Sequence, residues 1–141
     1  MRQRVDGNKF QEEFEKHFLK SCYVLRLPTL NTGYSGLTQP ADFIVARGNV
    51  HFVEVKETGK DYFSITSMQQ YVPMKEFTLV RKQLRLEMNY LVLVHFIKRG
   101  VYKLLTSEQA LELSSNRKQL MYDSEIGSTY RSLDEIEENS L

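Results

Sequence analysis

Asp42, Glu54 and Lys56 stand inside two runs of strand-forming residues, in the stretch PADFIVARGNVHFVEVKET that covers residues 40–58. Charged groups in half-buried strands are costly to desolvate, so they call for a partner, a metal or a catalytic task. Side chains alternate along a strand, which puts Glu54 and Lys56 on one side. A hairpin loop at Arg47-Gly48-Asn49 with a residue of positive φ makes opposed positions sum to 96, so Asp42 faces Glu54. Their β-carbons are then about 4.5–5.5 Å apart. Carboxylates that close repel unless a cation lies between them, and their oxygens suit Mg²⁺. The carbonyl of Val55 is a further available ligand. Phosphodiester hydrolysis needs an activated water, charge neutralisation at phosphorus and help for the departing oxygen. Asp42 and Glu54 hold the metal in this reading, and Lys56 orients the water or stabilises the developing charge. The competing reading makes Glu54 and Lys56 a surface ion pair of little consequence and Asp42 a turn acid. The matched position of Asp42 favours the first.

The elements that must position these residues can be read from periodicity. Phe10, Phe14 and Phe18 recur at helical spacing and predict an amphipathic helix over residues 8–20, with Glu12, Glu13 and Glu15 beside the apolar stripe. CYVLRL reads as a strand, PTLNTGYSGLTQP as a polar loop, and residues 41–47 and 50–57 as two further strands. In the loop, residues 31–36 combine small, hydroxyl-bearing and aromatic side chains suited to a sugar–phosphate backbone. Phe77, Val80, Leu84 and Met88 predict a helix over 73–88. NYLVLVHFI then forms a strand that turns through Lys98-Arg99-Gly100 into VYKLL. Thr106 and Gln109 fit a capping box at the head of a short helix, and Ser132 and Glu135 a cap for a last one. The order predicts a mixed central sheet flanked by helices, an α/β fold. Residues 1–113 form the working domain, and 114–141 an acidic appendage that docks weakly or is mobile.

At 141 residues the chain fits one domain. Its longest apolar run, residues 90–94, falls far below the roughly 18 residues of a membrane span. With a polar start and one cysteine, Cys22, a cytoplasmic setting is the default expectation. One cysteine allows no internal disulfide, and His17, His51 and His95 share no ligand-like spacing, which argues against zinc chemistry and against a Cys–His nucleophile. No phosphate-binding glycine loop ends in Lys-Ser/Thr. The net charge of +1 is unevenly spread: residues 119–141 carry six acids against Arg131 alone, a net −5, which leaves +6 on residues 1–118. A basic body is a plausible phosphate-binding surface.

Pro40-Ala41-Asp42, followed after an 11-residue gap by Glu54-Val55-Lys56, resembles the signature of the PD-(D/E)xK nuclease superfamily. That resemblance spans residues 7–105 and implies a restriction-endonuclease-like αβββαβ core with a Mg²⁺ (or Mn²⁺) site. Within the superfamily, the helix opened by Gly7, the compact size and Glu54-Val-Lys-Glu-Thr58 are similar to the Holliday junction resolvases of the archaeal and the bacterial RecU types. This implies a homodimeric enzyme of DNA recombination and repair that cuts four-way junctions. The resolvases place a glutamate about four residues after the glycine, whereas Gln11 stands there in this chain. The upstream metal ligand therefore lies among Gln11, Glu12 and Glu15, with Glu12 the candidate of choice. Ala41 separates the proline from the aspartate, and the loop 28–39 is shorter than the segment found in the RecU type. Lys9 and Gln11 on the first helix, with Lys75, Arg81, Lys82 and Arg85 on the second, are candidates for DNA contact, and Gln83 for the site itself. The alternatives are a restriction-like or repair nuclease on another DNA, and an inactive nucleic-acid-binding module of the same fold, which Gln11 favours.

Overall fold

A computed structural model describes residues 7–28 and 39–140. The loop residues 31–36 singled out for backbone contact lie outside the described residues. Helix α1 (Gly7–Phe18) is followed by strands β1 (Tyr23–Arg26), β2 (Phe43–Arg47) and β3 (Asn49–Thr58), the short strand β4 (Tyr62–Phe63) and helix α2 (Tyr71–Leu84). Strands β5 (Asn89–Phe96) and β6 (Val101–Thr106), helix α3 (Ser107–Ser115), strands β7 (Leu120–Met121) and β8 (Ser128–Tyr130) and helix α4 (Leu133–Ser140) complete it. The six-stranded sheet has the order β1-β2-β3-β5-β6-β8. Every pairing in it is antiparallel except β3 with β5. The αβββαβ unit is therefore present, as a mixed sheet flanked by helices.

The phenylalanine stripe of α1 behaves as its spacing requires. Phe10, Phe14 and Phe18 are buried against Phe43, Val45, Val53, Val55, Leu91 and Leu93 on one face of the sheet. On the other face, Tyr90, Val92, Val94 and Phe96 pack with Met74 of α2 and with Ala110 and Leu113 of α3. The two faces alternate along β3, so Val53 and Val55 point toward α1 while Glu54 points toward the α2 side.

Helix α2 differs from its expected span. It starts two residues early, with Pro73 in its first turn where a missing N–H costs nothing, and it stops at Leu84. Arg85 takes a left-handed conformation with φ of 53°, and its N–H closes on the Arg81 carbonyl. The buried face is Met74 and Thr78, with Phe77 of the predicted stripe packed beside them against Phe52 and Tyr90, while Val80 and Leu84 are exposed. The apolar periodicity there describes a surface, and Met88 belongs to the connection into β5.

Residues 114–140 overturn the expectation of a loosely docked appendage. Strand β8 pairs with β6 and becomes the sheet edge. Strand β7 pairs with β4, and Leu120 and Ile136 are core residues. Gly127 permits the approach, with φ of +77° and an imagined β-carbon only 2.8 Å from the Leu104 carbonyl oxygen. The segment also covers Lys103, which is 1% exposed and donates through Nζ to the Ser124 carbonyl at 2.7 Å and to Thr129 Oγ1 at 2.8 Å.

Candidate functional site

The β2–β3 hairpin puts the signature residues together. Arg47 pairs with Asn49 and Phe43 with Val53, so the register sums to 96 as expected, and Gly48 turns the chain with φ of +83°. Asp42 lies just beyond the β2 ladder, level with Glu54. Its Oδ2 accepts the Val55 N–H at 2.8 Å, which replaces the strand hydrogen bond that β2 no longer supplies. In a strand a residue's N–H and C=O leave on the same side. The Val55 carbonyl is therefore directed toward the same strand end as Asp42.

Glu54 is 0% exposed, and neither of its carboxylate oxygens has a hydrogen-bond partner among the described residues. Lys56 Nζ lies 3.1 Å from Glu54 Oε1, a charge contact without hydrogen-bond alignment, and its side chain reaches solvent. Burial, then the neighbouring Asp42, pushes the Glu54 carboxyl up to about 9, with Lys56 opposing only in part. Such a group is held protonated at neutral pH unless a cation joins it. The arrangement fits a divalent metal: a buried pair of oxygen donors, one with orphaned lone pairs, a carbonyl beside them and a lysine at the rim.

Two supports escape a motif reading. Tyr90, in β5, donates its hydroxyl to the Pro40 carbonyl and so fixes the approach to Asp42. Burial, followed by the negative charges of Glu54 and Asp42, raises the phenol well above its ordinary range, which keeps it a donor. Gln39, itself buried, donates through Nε2 to Asp42 Oδ1 at 3.3 Å. Neither bears a charge or a periodic position that would single it out. Each acts through a backbone carbonyl or a neighbour brought close by folding.

The other expected site residues separate. Glu12 is exposed on α1, and no group of three metal-ligating side chains forms around Asp42 and Glu54 among the described residues. Gln11 Oε1 accepts from Arg26 at 2.9 Å, and Glu15 lies 3.9 Å from the same guanidinium. Because α1 packs on the opposite sheet face from Glu54, Gln11, Glu12 and Glu15 stay on that side of the sheet. Lys9 is exposed on α1, and Lys75, Lys82, Gln83 and Arg85 are exposed on or next to α2. Arg81 is engaged within the fold: it donates to the Met88 carbonyl at 2.9 Å, Asn89 Oδ1 at 2.7 Å and Glu108 Oε1 at 3.0 Å. It clamps the end of α2 to β5 and α3.

Two of the three histidines, which the sequence left without a role, lie against acidic side chains. His95 Nδ1 lies 2.8 Å from Glu57 Oε2 and stacks on Tyr102 with ring centres 4.2 Å apart. His51 is buried, which lowers its pKa and holds it neutral. His17 meets two acids of α4.

No family model and no curated protein matches the chain. Among solved structures it is similar to Archaeoglobus fulgidus Hjc, a Holliday junction resolvase from an archaeal hyperthermophile. The likeness has 12% identity and a TM-score of 0.49, covering 74% of this chain and 75% of that one. No helix among the described residues is long and apolar enough to cross a membrane.

Proposed function

We propose that the protein is a Mg²⁺- or Mn²⁺-dependent DNA endonuclease acting on branched DNA, with four-way junctions as its substrate and a homodimer as its working form. The observation that carries this reading is the buried Glu54, its oxygens unpartnered, facing Asp42 with Lys56 3.1 Å away at the solvent edge. Asp42, Glu54 and the Val55 carbonyl would hold the metal, which supplies charge neutralisation and an acidified water when bound. Asp42 is oriented by the Val55 N–H and by Gln39, so one lone pair of each oxygen is spent on positioning. Glu54 would hold the metal as the carboxylate, its proton released to solvent. Lys56, reaching solvent, meets the phosphate and donates to an oxygen whose negative charge grows as water adds to phosphorus. One P–O ester bond then breaks; the proton shed by the attacking water passes to solvent, and the departing strand oxygen takes a proton from solvent water.

The test is cleavage of end-labelled junction, duplex, flap and single-stranded DNA with and without Mg²⁺. Asp42→Ala and Glu54→Ala are expected to abolish cleavage yet retain DNA binding in EDTA, because each removes a ligand and not the basic surface. Lys56→Ala is expected to lose cleavage while still binding metal. Turnover retained in the aspartate and glutamate variants sinks the chemistry. Cleavage of other substrates in preference to junctions leaves a nuclease with a different target, and binding without any cleavage leaves the inactive module.

A further inference from the structure

A second cluster of metal-ligating side chains lies away from the carboxylate pair, where α1 meets α4. His17, in the last turn of α1, directs Nε2 between Asp134 Oδ1 and Glu137 Oε2, each 3.1 Å away. Asp134 and Glu137 are three apart on α4 and so share one helix face. The His17 nitrogen is buried, yet it makes a hydrogen bond of acceptable geometry to neither oxygen. One imidazole nitrogen carries at most a single hydrogen, which cannot serve two acceptors placed symmetrically about it. A cation among the three atoms can serve all of them.

The spacing supports that occupant. Zinc binds His nitrogen and carboxylate oxygen at about 2.0–2.1 Å, and tetrahedral geometry then separates ligand atoms by about 3.3 Å. The two nitrogen–oxygen separations here are 3.1 Å, and all three ligand atoms lie within 4.8 Å of one another. Support around the ligands is also in place. Ser21 Oγ donates to Glu137 Oε1, and Arg47 Nη1 lies 3.7 Å from the same oxygen while donating to the Glu137 carbonyl at 3.4 Å. Glu137 is thereby held by its far oxygen, leaving Oε2 for a metal. With a neutral imidazole, the two carboxylates and Arg47 sum to one negative charge, which a divalent ion reverses at modest cost. Asp134 is exposed, so a fourth position opens to water.

We propose that His17, Asp134 and Glu137 form a site for a borderline-soft divalent cation, zinc before magnesium, that clasps the C-terminal helix to the first helix. A nitrogen donor separates it in kind from the oxygen-only pair at Asp42 and Glu54, so the two sites can hold different ions at once.

The experiment titrates the full chain with Zn²⁺ in excess Mg²⁺, which occupies the oxygen-only pair, and follows both calorimetry and the melting temperature. Co²⁺ serves as a visible probe, since tetrahedral Co²⁺ absorbs far more strongly than octahedral Co²⁺. A single equivalent of Zn²⁺ is expected to bind and raise Tm, and Co²⁺ to give the tetrahedral spectrum. Asp134→Asn, at an exposed position safe for folding, and His17→Gln are each expected to weaken Zn²⁺ about tenfold or more and to lose the spectrum. Zn²⁺ binding unchanged in Asp134→Asn, or a Tm indifferent to Zn²⁺, overturns the site. So does a zinc effect that vanishes in Asp42→Asn instead, which would assign the ion to the carboxylate pair.

Discussion

At Glu54 the sheet keeps a carboxyl where its charge is disfavoured, and that has a measurable consequence without any DNA. Its pKa in the folded chain is about 9, against an ordinary 4.5. The folded state therefore binds a proton that the unfolded state has released, across the whole interval between those values. Stability from this group is full below about 4.5 and is lost progressively as pH rises through about 9. Glu54→Gln mimics the protonated form and removes the dependence. In EDTA, the melting temperature of the wild type is expected to fall relative to Glu54→Gln between pH 5 and pH 9, and Mg²⁺ is expected to narrow the gap for the wild type alone. Parallel melting curves for the two proteins across that range would remove the basis for a buried, protonated Glu54. The opposition of Asp42 and Glu54 was legible because strand alternation and one glycine turn determine it. The supports at Tyr90 and Gln39 were not, since nothing in a tyrosine at a strand start announces that its hydroxyl will reach a carbonyl 50 residues away.

Elements whose stability is local were legible for the same reason. Helix α3 opens on Thr106 and Gln109, which exchange side-chain and backbone hydrogen bonds in the expected capping box, and Ser132 Oγ accepts the Glu135 N–H at 3.2 Å near the start of α4. Strand β8 carries no such signal. Ser128, Thr129 and Tyr130 show no apolar alternation, and their pairing with β6 depends on a contact across more than 20 residues. The acidic composition of residues 119–141 suggested a solvated tail, but its few apolar side chains decide the matter. Ile136 is buried against the α1 face of the sheet, and Lys103 relies on Ser124 and Thr129 to satisfy its ammonium. Deletion after Lys118 is therefore expected to abolish cooperative unfolding, because it strips the sheet edge and leaves a buried cation unpaired. The milder Ile136→Ala is expected to cost about 2–5 kcal/mol in urea denaturation. A truncated chain that melts as sharply as the full one would restore the appendage.

For the whole molecule, the apolar surface of α2 bears on how many copies act together. Met74 and Thr78 occupy the buried side of the helix. Val72, Leu79, Val80 and Leu84 lie on the opposite side, with Leu79 57% and Leu84 66% exposed. The free face is mixed, with Glu76 and Gln83 exposed among these apolar side chains, which are suited to burial against a partner. Val72 and Leu79 are a heptad apart, which makes a stripe along the helix. A four-way junction has two strands of like polarity to cut, and each chain carries a single Asp42–Glu54 pair. Paired incisions therefore call for a two-fold dimer, and an isologous contact through this stripe would present two sites together. Sedimentation at micromolar concentration is expected to give a dimer. Leu79→Glu with Leu84→Glu, both at exposed positions, should yield a folded monomer that nicks DNA but no longer makes paired incisions in a junction. A wild-type chain that stays monomeric even on junction DNA, and cuts linear duplex equally well, would remove the resolvase reading while leaving the phosphodiester chemistry of Asp42, Glu54 and Lys56 standing. If instead the double variant remains dimeric, the partner is held elsewhere. The strand edge at β1, whose Tyr23 and Leu25 are exposed, is then the next surface to substitute.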